Sequence, residues 1–480
     1  MTHPVSLSDS QLRAALEAVG QGHVFRFWDQ LAPSQRAELI ADLRLINVAQ
    51  LPNLARLAAS ETKSMPAQAD LQPASVKRRA SISADIVRRG EALLAAGKVA
   101  AFIVAGGQGT RLGFDGPKGA FPISPVQGKT LFQLFAESIL ATIRTYGGKI
   151  HWYVMTSPAN HDATCSCFES NDFYGLGREG VSFFQQGVMP AFDRSGKILL
   201  DQPHRIALSP DGHGGSLLAL ATSGMLADMA ARGVDHLSYF QVDNPLVHCL
   251  DPAFLGLHDA SGSEMSSKTL PKADDLEKVG NFAAIDGALT VIEYSDFPDA
   301  LARMKNSDGT RRFDAANIAI HALSRAFIER LTADPAAFAL PWHRAVKRVP
   351  FVDLESGVRV EPTEPNAIKL ESFVFDALPL SRNPVLMETS REEEFSPVKN
   401  ATGIDSVDTA KRDISLRAAR WLKSAGVQVP VSADGSPDGV FEISPLLALN
   451  AQQLAERRPL PGVIKPGSRI YLGPNSLSAQ

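Results

Sequence analysis

The sequence predicts an α/β fold, with a central sheet flanked by helices, an N-terminal helical region and a small C-terminal α+β domain. Three observations carry that reading. "VAAFIVA" (99–105) is short, continuous and apolar, as a strand covered on both faces requires. "KTLFQLFAESILATIRTYGG" (129–148) sets Leu131, Phe135, Ile139 and Ile143 on one helical stripe and ends at Gly147. "IHWYVMTS" (150–157) is again strand-like, so strand, helix and strand make a βαβ unit.

The rest of the chain fits around that unit. Ser8 and Gln11 have capping-box spacing, and Leu12, Leu16 and Val19 follow at helical intervals. Leu39, Leu43 and Ile46 repeat the pattern after Pro33. Residues 61–85 are polar, with two prolines, and read as an irregular crossing segment. Further strands are expected at 181–186, 236–242 and 289–295, and a helix at 216–233. Beyond about 385 the chain turns rich in Pro, Gly and Ser. The expected segments are a helical region at 1–95, an α/β domain at 96–385 and a C-terminal domain at 386–480.

Composition narrows the function classes. The chain has 480 residues, and its 48 basic and 52 acidic residues leave a net charge of −4. That balance points away from nucleic acid and anionic membranes as partners. No apolar run approaches the ~20 residues of a membrane span. "MTHPVSLSDSQ" lacks the basic-then-apolar pattern of a secretion signal. The only cysteines are Cys165, Cys167 and Cys249, an odd, sparse set that implies reduced thiols in a cytoplasm. His161, Cys165 and Cys167 are close in sequence, but no second pair completes a zinc site.

After the 99–105 strand comes "GGQGTRLGFDGPKG". It is not a dinucleotide loop: Gly107 and Gly109 fit G-x-G-x-x-G, but the third position is Leu112. Nor is it a P-loop. "GKT" occurs at Gly128–Thr130, but the glycine needed five residues earlier is Ile123, and the motif reads as a helix start. What remains is GG-x-GTRLG followed by PKG. Gly106, Gly107 and Gly109 allow close backbone approach to a nucleotide. Arg111 supplies a planar cationic fork, and Lys118 a point charge. Two cations near a polyphosphate suit displacement at phosphorus with loss of a charged leaving group.

This loop resembles the nucleotide loop of the UDP-sugar pyrophosphorylase family, most of all its UDP-N-acetylhexosamine branch. Further similar stretches follow in order: "FFQQGVMPA" (183–191), "SPDGHGG" (209–215), "VDNPLV" (242–247), "VIEYSDFP" (291–298), "FDAANIAIH" (313–321), "NAIKLESFVFD" (366–376) and "REEEFSPVKN" (391–400). The resemblance implies a Rossmann-like nucleotidyltransferase fold, glycosyltransferase A-like, with a mixed sheet. It also implies transfer of UMP from UTP to a sugar 1-phosphate, with Mg2+ as cofactor.

Roles carried over on that resemblance are these. Arg111 and Lys118 are catalytic and face the triphosphate. Val104, Ala105, Gly106 and Gly107 approach the uridine. Gln186 reads the uracil edge, with Gly212 and with Gln185 as the neighbour it could be confused with. Asp243 lies at the nucleotide and would hold Mg2+. Lys369 meets the nucleotide phosphates. His213, Glu293, Tyr294, Asn317 and Lys399 face the sugar phosphate. Strand alternation would place Val291, Glu293 and Ser295 on one face. His321, one helical turn beyond Asn317, reads as structural.

The departures from the family pattern cluster near the sugar. The N-acetylhexosamine branch usually has asparagine where this chain has His213, and glucose-type relatives usually have aspartate where it has Gly215. "FDAAN" also departs, at Asp314 and Ala316. N-acetylglucosamine 1-phosphate is the expected acceptor, with glucose or galactose 1-phosphate as the alternative. A non-catalytic nucleotide-sugar sensor is a second class, disfavoured because Arg111 and Lys118 are both present. A sugar kinase lacks its phosphate loop here.

Overall fold

The structure is a computed structural model and describes residues 7–60, 71–335, 337–457 and 459–477. Val99–Val104 forms the expected strand and is buried almost throughout. It lies near the middle of a sheet ordered Val76–Arg78, Val385–Glu388, Met265–Pro271, Ala315–Ser324, His236–Gln241, Val99–Val104, Trp152–Thr156, Val181–Gln185. Ala315–Ser324 runs antiparallel to both its neighbours, and the other pairs are parallel. The sheet is therefore mixed, as expected. A hairpin, Asn281–Ile285 with Ala288–Ile292, branches from it and pairs with Leu71–Pro73.

Leu131–Tyr146 is the predicted helix. Thr130 caps its start by accepting from Gln133, and Gly147 ends it at φ 81°. Its apolar stripe packs onto the sheet through Phe132, Phe135 and Ile139.

Four local expectations change. The 61–85 segment is not wholly irregular: it supplies the strands Leu71–Pro73 and Val76–Arg78, while 61–70 lies outside the described residues. The helix expected at 216–233 is two, Gly215–Thr222 and Met225–Ala231, separated at Gly224 with φ 81°. The strand expected at 289–295 stops at Ile292, so Glu293 is not set by strand alternation. Asn317 and His321 lie on a strand rather than a helix.

The contacts divide the described chain into two units: 7–60 with 186–216 and 339–376, and 71–185 with 217–338 and 377–477. This differs from the expected 1–95, 96–385 and 386–480. In the first unit the N-terminal helices have no core of their own. Leu12, Leu16, Leu39 and Leu43 share one with Met189, Phe192, Ile198, Ile206, Ile368 and Leu370. Buried Asp42 fixes the register, accepting from Arg205 Nε at 2.7 Å and Nη2 at 2.9 Å. Gln21 does the same, donating to Gly196 O and accepting from Ile198 N–H.

In the second unit the C-terminal residues are α+β, as expected. The helix Val407–Ser424 covers the parallel pair Gly439–Ile443 and Ser468–Leu472. They grip the loop before the Leu131–Tyr146 helix. Glu442 accepts from the N–H groups of Val126 and Gln127, and Lys129 Nζ lies 2.8 Å from Glu137 and 2.9 Å from Tyr471 Oη. The lysine of "GKT" is thus a buried structural cation.

A second buried cation ties the sheet together. Lys268, fully buried, places Nζ 2.7 Å from Asp251 and 2.6 Å from Glu394, and Arg79 also bonds Asp251. Burial alone would raise both carboxyl pKa values. Lys268 outweighs it, joined at Asp251 by Arg79, and holds both below their ordinary range. Removing one partner of such a cluster strands the others in a low-dielectric interior. Lys268→Met should therefore lose about 3–5 kcal/mol of stability at pH 7 in urea unfolding; a loss under about 1 kcal/mol would contradict this assignment.

Candidate active site

The glycine loop begins where Val104 and Gln241 end side by side on adjacent parallel strands. Ligands gather at such carboxyl ends in open α/β sheets. The loop's carbonyls are taken up by the neighbouring connection. Asn160 Nδ2 donates to Ala105 O at 2.8 Å and Gly107 O at 3.2 Å, and Ser157 Oγ donates to Gly106 O at 2.9 Å. Both side chains are buried. Farther on, Gly109 N–H donates to Gly116 O and Lys118 N–H to Gly107 O. Between these anchors the N–H groups of Gly106, Gly107 and Gln108 donate to nothing among the described residues. Three consecutive amides without an internal acceptor are available to an anion.

The glycines are there for different reasons. A Cβ on Gly119 would lie 2.1 Å from the Phe132 ring, and one on Gly109 would lie 2.7 Å from Phe114. On Gly107 the nearest atom would be Lys118 Cε at 3.9 Å. Packing requires the first two to be bare and does not require it of Gly107.

Asp243 and Lys118 converge on one strand-like strap. Val398 N–H donates to Asp243 O at 2.8 Å, and Lys118 Nζ donates to Val398 O at 3.3 Å. Buried Asn244 stitches the strap further, donating to Glu394 O at 2.7 Å and accepting from Ser396 N–H at 3.2 Å. The Asp243 carboxylate and the exposed Arg111 guanidinium make no hydrogen bond or ion pair among the described residues. Lys399, next to Val398, pairs with Asp405 at 3.2 Å.

Glu293 and Asn317 meet at Gly280. A Cβ there would lie 3.1 Å from Glu293 Oε1 and 3.5 Å from Asn317 Cβ, and Asn317 N–H donates to Gly280 O. A bulge opposite Ser267–Thr269, with Ala319 at φ 54°, shapes the strand here. Bulges re-aim side chains beside binding sites. Tyr294 follows in the turn and is 47% exposed.

The remaining predicted residues belong to the other unit. Gln186 is buried and Gln185 exposed. Gly212 has φ 86°, and a Cβ there would meet Ser372 O at 2.3 Å. His213 stacks on Phe373 at 5.1 Å and 25°, and Val374 N–H donates to its Nδ1 at 3.1 Å. Burial, helped by His343, lowers its pKa to about 4. The neutral ring thus carries its proton on Nε2. His343 stacks on the same Phe373 ring at 4.4 Å and bonds Asp376 at 2.8 Å. Half-buried Lys369 forms no ion pair among the described residues, and burial lowers its pKa.

His248, Asp251 and Glu394 bring possible ligand atoms within 4.8 Å of one another, but the Lys268 ammonium already sits on both carboxylates. They form a charge network. His161, Cys165 and Cys167 form no metal cluster among the described residues. His161 Nδ1 meets Thr156 Oγ1 at 2.8 Å, and Cys167 Sγ meets Tyr174 Oη at 3.2 Å. The free Asp243 carboxylate fits a magnesium ion, which keeps waters and shares phosphate oxygens.

The family described as UTP–glucose-1-phosphate uridylyltransferase matches residues 55–410. The chain belongs to this family. It is therefore a uridylyltransferase with the mixed-sheet nucleotidyltransferase fold that the loop implied. A human relative, UDP-N-acetylhexosamine pyrophosphorylase-like protein 1, is 37% identical, with 93% of this chain and 94% of the relative covered. The Saccharomyces cerevisiae UDP-N-acetylglucosamine pyrophosphorylase is 34% identical, at 91% and 94% coverage. Among solved structures, a putative UDP-N-acetylglucosamine pyrophosphorylase from Entamoeba histolytica is 33% identical with TM-score 0.73, covering 84% of this chain and 98% of that one. That from Trypanosoma brucei, in complex with an inhibitor, is 26% identical with TM-score 0.82, at 98% and 99% coverage. Among the described residues no helix is long and apolar enough to cross a membrane.

Sequence reasoning missed Ser157, Asn160 and Asn244, whose work is to hold loops. The signal for the first two was a polar cluster directly after a strand that ends beside the glycine loop. The glycine geometry gives a paired expectation. Gly107→Ala should leave the melting temperature unchanged and weaken UTP binding about tenfold or more. Gly119→Ala should cost about 1–3 kcal/mol of stability by overpacking. Calorimetric titration and thermal unfolding of both variants read the two effects apart.

Proposed function

We propose that this enzyme transfers UMP from UTP to N-acetylglucosamine 1-phosphate and releases pyrophosphate, with Mg2+ as its cation. The observation that carries the reading is the run of free amides at Gly106, Gly107 and Gln108, beside Lys118 and the open carboxylate of Asp243. The names of the relatives support N-acetylglucosamine as the sugar.

The chemistry asks for no protein nucleophile. A sugar-phosphate oxygen attacks the α-phosphorus of UTP. The bond from that phosphorus to the oxygen bridging the β-phosphorus breaks, and pyrophosphate leaves with its charge. Arg111 and Lys118 neutralise the developing charge, and the loop amides hold the phosphates in line. A magnesium ion held at Asp243 would add Lewis-acid neutralisation of phosphate oxygens. Gln186, with an amide that both donates and accepts, suits a uracil edge. Glu293 and Asn317, brought together at Gly280, suit sugar hydroxyls, with Tyr294 and Lys399 toward the sugar phosphate.

One observation favours a second acceptor. His213 offers a single Nε2 donor where the N-acetylhexosamine branch usually has an asparagine amide. A glucose or galactose 1-phosphate asks for no amide recognition.

The test is pyrophosphate release from UTP and Mg2+ with a panel of sugar 1-phosphates. N-acetylglucosamine 1-phosphate should give the highest kcat/KM. Higher kcat/KM with glucose 1-phosphate would reassign the sugar, and no release with any of them would leave a sensor. Lys118→Ala should lower kcat about 100-fold or more without unfolding the protein.

A further inference from the structure

We propose that Asp211 is a positioning residue for the nucleotide sugar, its carboxyl wedged between the turns that carry Gln186 and His213. The proposal rests on the uridylyl-transfer reading and extends it to a residue that reading does not use. A Cβ on Gly187 would lie 2.4 Å from Asp211 Oδ2, and one on Gly215 would lie 2.2 Å from it. Two glycines, one just after Gln186 and one two residues past His213, are thus bare because this carboxyl fills the space between them. The Asp211 backbone completes the junction. Its N–H donates to Gly187 O at 3.2 Å, and its carbonyl accepts from Ser372 N–H at 2.9 Å and Ser372 Oγ at 3.2 Å. Ser372 O in turn accepts from Gly214 N–H at 2.9 Å.

The carboxyl itself has almost no help. Oδ1 is buried without a hydrogen-bond partner, and no cation among the described residues forms an ion pair with Asp211. The ionisable groups on the packed segments are His213, held neutral, Glu371 and Lys369 on the Ala367–Glu371 strand, and the His343–Asp376 pair. None of these supplies a counter-charge to Asp211. Burial accordingly raises its pKa to about 7. Below that pH a neutral acid fits the wedge. Above it, an unpaired carboxylate sits in a largely buried wedge with Oδ1 shut off from solvent, and the junction loosens to hydrate it.

The sign follows from linkage. The folded pKa lies above the unfolded one, so the contribution of Asp211 to stability is present at low pH and is lost as pH rises through about 7. The same rise should loosen the seats of Gln186 and His213.

The experiment titrates wild type and Asp211→Asn with UDP-N-acetylglucosamine by calorimetry at pH 6.0, 7.0 and 8.5. The ligand's own phosphates do not change charge in that range. Wild-type affinity should fall by about tenfold from the lowest to the highest pH, the scale set by titration of one group near pH 7. The variant, an uncharged isostere, should keep the low-pH affinity throughout. Thermal unfolding without ligand supplies a second reading: the variant should match wild type at pH 6.0 and melt higher at pH 8.5. Parallel pH profiles in the two proteins overturn the proposal. So does a variant that melts like wild type at every pH. Absence of binding by wild type at pH 6.0 overturns the N-acetylglucosamine reading and the proposal that rests on it, whereas loss confined to the variant overturns the proposal alone.

Discussion

The active site depends first on how Asn160 and Ser157 spend their hydrogen bonds. A glycine loop at a strand end has both carbonyls and N–H groups to satisfy. Here the carbonyls of Ala105, Gly106 and Gly107 are all taken by two buried side chains from the adjacent connection. The amides of Gly106 to Gln108 are the loop groups left without a partner among the described residues. A dinucleotide loop or P-loop reaches the same end through a helix N-terminus. This loop instead turns back on itself, with Gly109 bonded to Gly116 and Lys118 to Gly107, and so returns a lysine to its own mouth.

The second constraint is electrostatic and lies behind the first. The strap that meets both Asp243 and Lys118 begins at Glu394, a carboxylate buried against Lys268. Lys268 in turn sits on the strand paired with Ala315–Ser324, the strand that carries Asn317. One buried cation thus anchors the frame in which Lys118, Asp243 and Asn317 are set. Such a cluster gains little net stability over an apolar core, but it is costly to break, which favours one arrangement.

Legibility followed the range of the interactions. The Val99–Val104 strand and the helix after it were readable because each is periodic and apolar over its own length. The loop itself was readable because its glycines and cations lie within 20 residues of each other. Glu293 and Asn317 were expected at the sugar, but their local structure was misjudged. "AANIAIH" has apolar spacing that a helix tolerates, and only pairing with 265–271 and 236–241 makes it a bulged strand. The first unit was not readable at all as a unit. It is assembled by bonds such as Gln21 to Gly196 and Asp42 to Arg205, across more than 160 residues each. Asp211, embedded in a motif noticed for its glycines, packs against one of them, Gly215, and against Gly187 from another stretch, a contact no local pattern announces.

The central claim is that three loop amides, freed by Asn160 and Ser157, receive the phosphates of UTP. Amide-resolved NMR of the selectively labelled protein during titration with UTP tests it most directly. The account predicts large downfield proton shifts at Gly106, Gly107 and Gln108, with little change at Gly109, whose N–H is already bonded to Gly116. Saturable UTP binding with those three resonances unmoved would contradict it.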